Sequence, residues 1–286
     1  MLRVYLVNAF TSNGNGGNPA GVVLDGDKLS SQQKLVIAQR IGFSETAFID
    51  SIDGNVITTS FFTPTGPIAY CGHATLASFY TLNHLGILHD GEYDQITSVG
   101  EHLVSIEDGY IEMSQALPVF GDTFTAESIA PLFSLKSADI LNTHLPVCTV
   151  STGLADLMLP VASGVLDSLT PNFDAISQFS SEHGLIGVHV FEVCDSSSLI
   201  SARCRNFAPL FGITEESATG SACGALACYL SKFRPDLTSS YVFEQGAVLG
   251  QASLISAKVM SNEIDGTKRI LVGGNATPQG DVYIEV

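Results

Sequence analysis

Hydrophobic positions recur along the chain at two periods. Val4–Phe10 is a run rich in β-branched and aromatic residues and predicts a strand. Asn13–Pro19 (NGNGGNP) breaks that pattern, as a loop does. From Ser30 to Arg40 the period lengthens to that of a helix. Leu35, Ala38 and Ile41 share one stripe, Ser30 and Gln33 have capping-box spacing, and Gly42 supplies the stop. Ser44–Asp50 and Val56–Phe62 are strands joined by Asp53-Gly54-Asn55, a hairpin signal. After Thr63-Pro64-Thr65-Gly66-Pro67 a second helix is predicted from about Gly72 to Leu82, ending near Gly86, and another hairpin at Asp108-Gly109.

The second half continues in the same manner. Strands are predicted at Val147–Thr152, Asp156–Pro160, Gly187–Cys194, Ile200–Phe207, Tyr241–Gln245, Ala252–Met260, Lys268–Val272 and Tyr283–Val286, with a turn at Asp265-Gly266. Helices are predicted at Asn172–Ser180 and Gly220–Lys232. Cys71-Gly72-His73-Ala74 opens one Ala/Leu-rich helix and Thr219-Gly220-Ser221-Ala222 opens another. That points to two related α+β halves, each presenting a helix N-terminus.

Such ends leave N–H groups without intrahelical partners and carry partial positive charge, so they suit a carboxylate. The overall charge makes this local attraction matter. With 12 Lys and Arg against 29 Asp and Glu, the formal net charge is −17, which repels nucleic acid and anionic membranes. An anionic substrate must therefore be drawn in locally. Hydrophobic residues make up 45% of the 286 and charged residues 14%, enough apolar material for large cores. No uncharged apolar stretch has the length of a membrane span. The six cysteines are irregularly spaced, no signal-peptide pattern precedes the first strand, and no CxxC pair occurs. These features predict reduced thiols, a cytoplasmic location and no structural metal.

Glu45 opens an apolar strand, and alternation puts Glu45, Ala47 and Ile49 on one face. Desolvation there is expected to raise its pKa towards the range useful to a general acid–base group. An edge position reaching solvent is the competing reading. His73 lacks a metal-ligand partner at helical or strand spacing and is read as a donor or acceptor. Cys71, at a helix start, is expected to have a depressed pKa that favours thiolate; a small buried residue is the competing reading.

Asn8-Ala9-Phe10, Gly17-Asn18-Pro19-Ala20-Gly21-Val22, Ser44-Glu45-Thr46-Ala47-Phe48, Phe62-Thr63-Pro64, Cys71-Gly72-His73-Ala74-Thr75, Ser151-Thr152-Gly153, Phe207-Ala208-Pro209 with Gly212, Glu216-Ser217-Ala218-Thr219-Gly220-Ser221-Ala222, Glu244-Gln245-Gly246 and Val272-Gly273-Gly274 occur in this order. Together they resemble the PhzF-like (phenazine biosynthesis) isomerase family, itself related to diaminopimelate epimerase and proline racemase. The resemblance covers nearly the whole chain. It implies an α+β fold of two similar diaminopimelate-epimerase-like domains, 1–120 and 121–275, with the strand 276–286 returning to the first. Each would be a curled mixed sheet around a central helix, with the site in the cleft between them. A homodimer and no cofactor are also implied.

In the family, the glutamate matched by Glu45 moves a proton between carbons. The residues matched by His73, Glu216 and Ser221 bind substrate and assist. Asn18, Gly72, Ala74, Thr219 and Gly220 are the candidate substrate-binding positions. There are departures. The phenazine enzyme has aspartate in place of Glu216 and no cysteine in place of Cys71. Cys71 matches the first catalytic cysteine of the racemases, but Thr219 stands where the second would be. Where many relatives have Gly-Arg-Pro, this chain has Gly250-Gln251-Ala252. The expected function is a cofactor-independent proton shift on a small carboxylate-bearing metabolite. The alternatives are an amino-acid racemase using Cys71 with Glu45, and a binding protein without catalysis.

Overall fold

The computed structural model describes residues 1–237, 239–261 and 268–285; the turn expected at Asp265-Gly266 lies outside them, as does Val286. The chain divides into two compact units, Met1–Ser114 with Gly273–Val286, and Gln115–Val272.

In the first unit the order is β1 (Leu2–Thr11), β2 (Asn18–Val23), α1 (Ser31–Ile41), β3 (Glu45–Asp53), β4 (Val56–Thr63), β5 (Gly66–Ile68), α2 (Gly72–His84), β6 (Gly91–Thr97), β7 (Gly100–Glu107) and β8 (Tyr110–Gln115). The capping box forms at Ser30 and Gln33, and Gly42 closes α1 in the left-handed conformation. β1 pairs antiparallel with β2, β2 parallel with β3, β3 antiparallel with β4, β4 parallel with β6 and β6 antiparallel with β7.

Alternation divides this sheet between two helices. Val4, Val23, Phe48 and Phe62 pack with Ile37 and Ala38 of α1. The opposite face carries Asn18, Glu45 and Ala47 and packs on α2. α2 is buried on nearly every side, so its sequence reads as small and apolar rather than amphipathic. Its polar interior residues are satisfied within the helix: Ser78 Oγ donates to Ala74 O and Thr81 Oγ1 to Ala77 O, both at 2.7 Å.

The second unit holds β9 (Val119–Phe124), short helices α3 (Ala126–Ile129) and α4 (Ser137–Leu141), β10 (Val147–Ser151), β11 (Ala155–Pro160), α5 (Phe173–His183), β12 (Gly187–Val193), β13 (Ala202–Ala208), β14 (Ile213–Glu216), α6 (Gly220–Phe233), β15 (Ser240–Gln245) and β16 (Ser253–Ser261). Leu157, Leu159, Val188, Val190 and Phe207 meet Ile176 of α5 in one core. The other face of the sheet packs on α6.

The pairings repeat those of the first unit. β10 is antiparallel to β11, β11 parallel to β12, β12 antiparallel to β13, β13 parallel to β15, and β15 antiparallel to β16. α2 and α6 occupy the same place in the two pairing schemes, each before the strand that returns parallel. The similarity of their opening sequences therefore reflects a repeated architecture.

β17 (Lys268–Ile284) is one strand where two short ones were expected. Gly273, Gly274, Pro278 and Gly280 hide its continuity from the pattern. Its last half pairs antiparallel with β1, from Asn275 opposite Thr11 to Ile284 opposite Leu2, with bulges absorbing the irregular residues.

Candidate active site

Glu45 is the first residue of β3, opposite Ala20 of β2, and is 8% exposed. The solvent-facing alternative is thereby corrected: parallel pairing covers one side and α2 the other. Its Oε2 lies 3.2 Å from Nε2 of His73, the second residue of α2. Nδ1 of the same ring lies 3.3 Å from Asn18 Nδ2 and 3.3 Å from Cys71 Sγ. Thus β2, β3 and the start of α2 bring Asn18, Glu45, Cys71 and His73 into one buried group. Gly72 and Ala74 flank His73 in the first turn of α2.

Two expectations about ionisation are reversed. Burial does push the Glu45 carboxyl up, as the apolar strand suggested. The charge and hydrogen bond of His73, with a further hydrogen bond from Ser44, outweigh it and leave the carboxyl below its ordinary range. For His73, burial would lower the pKa. The facing Cys71 and Glu45 overcome this and hold the ring well above its usual value. Each of the two groups thus favours the charged form of the other. Burial pushes the Cys71 thiol up, with Glu45 adding to the rise, although His73 and the Ala74 amide pull the other way. The helix start alone does not make it a thiolate.

Ligand atoms of Glu45, Cys71 and His73 lie within 4.8 Å of one another, the spacing of a possible metal site. Both imidazole nitrogens are already engaged, one towards the carboxylate and the other towards Cys71 and Asn18. A cation held by all three would need one of those contacts to break. No metal is assigned.

In the second unit the structure places Glu216 at the end of β14 and Thr219 as the residue before α6. Thr219 Oγ1 donates to Glu216 Oε2 at 2.7 Å. Gln245 of β15 holds both: its Nε2 donates to Glu216 O at 2.7 Å and to Thr219 Oγ1 at 2.9 Å, and its Oε1 accepts from Thr219 N at 3.1 Å. Gly220 and Ser221 open the helix. Gln115 Nε2 donates to Gly220 O at 3.1 Å, and Thr152 Oγ1 lies 3.3 Å from Ser221 O and donates to Gln115 Oε1 at 2.7 Å. Ser221 itself is half-buried.

In the sequence Gln245 and Thr152 stand only as members of short motifs, and Gln115 carries no signal. An uncharged amide in a strand carries no periodic signal. The role of Gln245 comes from three hydrogen bonds that only the fold assembles.

Among the described residues no helix is long and apolar enough to cross a membrane. A family described as phenazine biosynthesis-like protein (PhzC-PhzF) matches residues 7–281. A protein of Escherichia coli strain K12, described as the uncharacterized isomerase YddE, is 32% identical over 96% of this chain and 95% of its own. The trans-2,3-dihydro-3-hydroxyanthranilate isomerase of Pseudomonas chlororaphis is 27% identical over 98% of both chains. The crystal structure of a PhzF-family phenazine biosynthesis protein from Bacillus anthracis superposes with a TM-score of 0.90 at 26% identity, covering 100% of this chain and 99% of that one.

Proposed function

The chain belongs to the phenazine biosynthesis-like (PhzC-PhzF) family, and from that premise we propose that it is a cofactor-independent isomerase moving a proton on a small carboxylate-bearing metabolite, with Glu45 as general base and acid. The observation that carries this reading is the buried contact of 3.2 Å between Glu45 and His73. His73 keeps Glu45 ionised in an apolar surround, so the carboxylate can take a proton from a carbon next to an activating group. The electron pair left behind delocalises into that group. The protonated Glu45, beside an imidazolium, is then a ready donor and returns the proton at another carbon. Nothing is oxidised or reduced overall. Asn18, Cys71 and Gly72-Ala74 orient the ring.

To the second helix start we assign binding of a carboxylate: Glu216 and Ser221 as polar contacts, and the N–H groups after Thr219 and Gly220 for the carboxylate itself. A homodimer in the cytoplasm is proposed as the working form, to be checked by light scattering and fractionation. The name of the Pseudomonas relative makes trans-2,3-dihydro-3-hydroxyanthranilate the first compound to try. A wider screen of small carboxylates in heavy water, read by mass spectrometry, tests the class. Gain of one deuterium dependent on Glu45 supports it; no exchange and no conversion across the screen would overturn it.

The contact of Cys71 with His73 favours a second reading, an amino-acid racemase in which Cys71 is the other base. Thr219 offers no matching thiol, so this reading ranks below the first. Loss of turnover in Cys71→Ala as deep as in Glu45→Gln would reverse that order.

A further inference from the structure

A serine, threonine or asparagine directly before a helix ordinarily turns its side-chain oxygen onto the second or third N–H of the first turn. The outer helices of the two units follow this rule. Ser30 accepts from Gln33 N before α1, and Asn172 accepts from Ala175 N before α5. The two central helices do not. Cys71 makes no side-chain cap on α2; its sulfur lies 3.3 Å from His73 Nδ1. Thr219 makes none on α6, although threonine is among the preferred capping residues. Its carbonyl already takes the first helical hydrogen bond, from Cys223 N at 3.0 Å. The backbone is therefore in place for a cap that the side chain does not supply.

What diverts the Thr219 side chain is Gln245, which is fully buried. Thr219 N can only donate and Glu216 O can only accept, so the amide stands one way round. Oε1 faces Thr219 N at 3.1 Å, and Nε2 faces Glu216 O at 2.7 Å and Thr219 Oγ1 at 2.9 Å. An amide nitrogen donates and does not accept, so the Thr219 hydroxyl receives it on a lone pair. The one hydrogen of that hydroxyl then goes to Glu216 Oε2, at 2.7 Å. Gln245 thus sets the direction of the relay, from its own amide through Thr219 to Glu216. The backbone is shaped for this approach. Gly246, next to Gln245, has φ +81°, and a Cβ there would stand 2.6 Å from Ser217 O. Glycine lets the end of β15 lie against the loop between Glu216 and Thr219. The neighbouring Glu215 is committed to Arg205 at 2.8 Å, so Glu216 is the carboxylate that the relay addresses.

We propose that Gln245 is a positioning residue for the start of α6: it holds the Thr219 hydroxyl on Glu216 and off the first turn, so that the N–H groups of Ser221 and Ala222 are left for a carboxylate rather than closed by a cap. The consequence for ligand binding rests on the assignment of a carboxylate to this helix start; the placement of the hydroxyl does not. Without the amide, the lone pair of Thr219 Oγ1 loses its donor, and the first turn of α6 offers the donors that a capping threonine takes. A ligand would then have to displace that cap, which at typical strength is worth about fivefold in affinity.

The first experiment uses no ligand. Exchange of the Ala222 amide with heavy water is followed by nuclear magnetic resonance. Gln245→Met keeps the length of the side chain and removes its three hydrogen bonds. Thr219 then closes on the helix, and exchange should slow by about fivefold relative to the parent. Adding Thr219→Val removes the capping hydroxyl, and exchange should return to the parental rate. A role in packing alone predicts the opposite, faster exchange in Gln245→Met and faster still in the double variant. Exchange unchanged or faster in folded Gln245→Met would overturn the proposal. Thr219→Val alone leaves β15 intact and decides the matter if Gln245→Met does not fold. Exchange at Ala222 is expected to stay at the parental rate; a rise of about fivefold would mean that Thr219 caps α6 after all, and would overturn the proposal.

The second experiment titrates acetate and reads the amide shifts of Ser221 and Ala222. The parent should saturate, Gln245→Met should bind about fivefold more weakly, and the double variant Gln245→Met/Thr219→Val should recover the parental affinity. A double variant that binds no tighter than Gln245→Met would overturn the proposal. No response to acetate in the parent would instead end the assignment of a carboxylate to this helix start, and the ligand half of the proposal with it, while the exchange measurement still decides where Gln245 holds the hydroxyl.

Discussion

At the level of single residues, the Glu45–His73 pair decides most of the chemistry. Glu45→Gln keeps the shape but cannot accept a proton, so turnover should fall by about a hundredfold or more with binding nearly intact. Glu45→Asp should also be impaired, because the shorter chain withdraws the carboxyl from a ring now 3.2 Å away. Normal turnover in folded Glu45→Gln would end the mechanism. Cys71→Ala should keep substantial activity, since the thiol is pushed towards its neutral form. The same pair links stability to pH. His73, raised, contributes stability that is present below its unfolded value and lost as pH rises through its folded one. Glu45, lowered, contributes stability that is present above its unfolded value and lost as pH falls through its folded one. Both contributions should coexist only between those limits. Asp156 acts oppositely: an acid raised to about 6 from 3.8 costs the native state about 3 kcal/mol at neutral pH. Urea unfolding should show Asp156→Asn more stable than the parent by about 1–3 kcal/mol at pH 7 and by much less at pH 4. No pH dependence of that difference would mean that burial does not penalise the charge on Asp156.

At the level of elements, the sequence declared its helices and hairpins because each carries local punctuation. Ser30, Gln33 and Gly42 mark α1 within a residue of its observed ends. Glycines at the starts of α2 and α6 mark the two central helices. Elements without such marks leave no local signal. β9, α3 and α4 lie in a stretch of mixed polarity, and β17 runs through glycines and a proline that local pattern treats as breaks. The strand pairings that make the repeat are long-range and have no local signal. The approach of His73 to Glu45 joins two elements and has no local signal, so the downward shift of the carboxyl was not legible in the strand pattern around it. α6 shows how an element serves the site. A Cβ added at Gly224 would sit 1.9 Å from Gln115 Oε1 and 3.0 Å from Val272 Cγ2. Gln115 is the residue that grips Gly220 O. Gly224→Ala should therefore displace Gln115, cost roughly 1–3 kcal/mol in unfolding experiments and loosen the helix start, raising KM. Unchanged stability and KM would mean that the Gln115 contact does not anchor that turn.

For the molecule as a whole, the dominant quantity is a formal net charge of −17. A field of that sign opposes the approach of any carboxylate, whereas the N–H groups at a helix start act at contact distance and are screened little. The two contributions therefore separate with salt. Raising ionic strength from about 0.01 to 0.15 M shortens the screening length from about 30 to 8 Å and weakens the long-range repulsion, leaving short contacts nearly intact. Encounter should quicken while the bound chemistry stays the same. For an anionic substrate the expected outcome is a rise in kcat/KM of about two- to tenfold over that range, with kcat constant. A neutral substrate analogue should show neither change, which removes general effects of salt on folding or assembly from the comparison. A fall in kcat/KM for the anion would mean that a local positive field governs encounter, and the helix starts could not then be treated as contact-range groups alone.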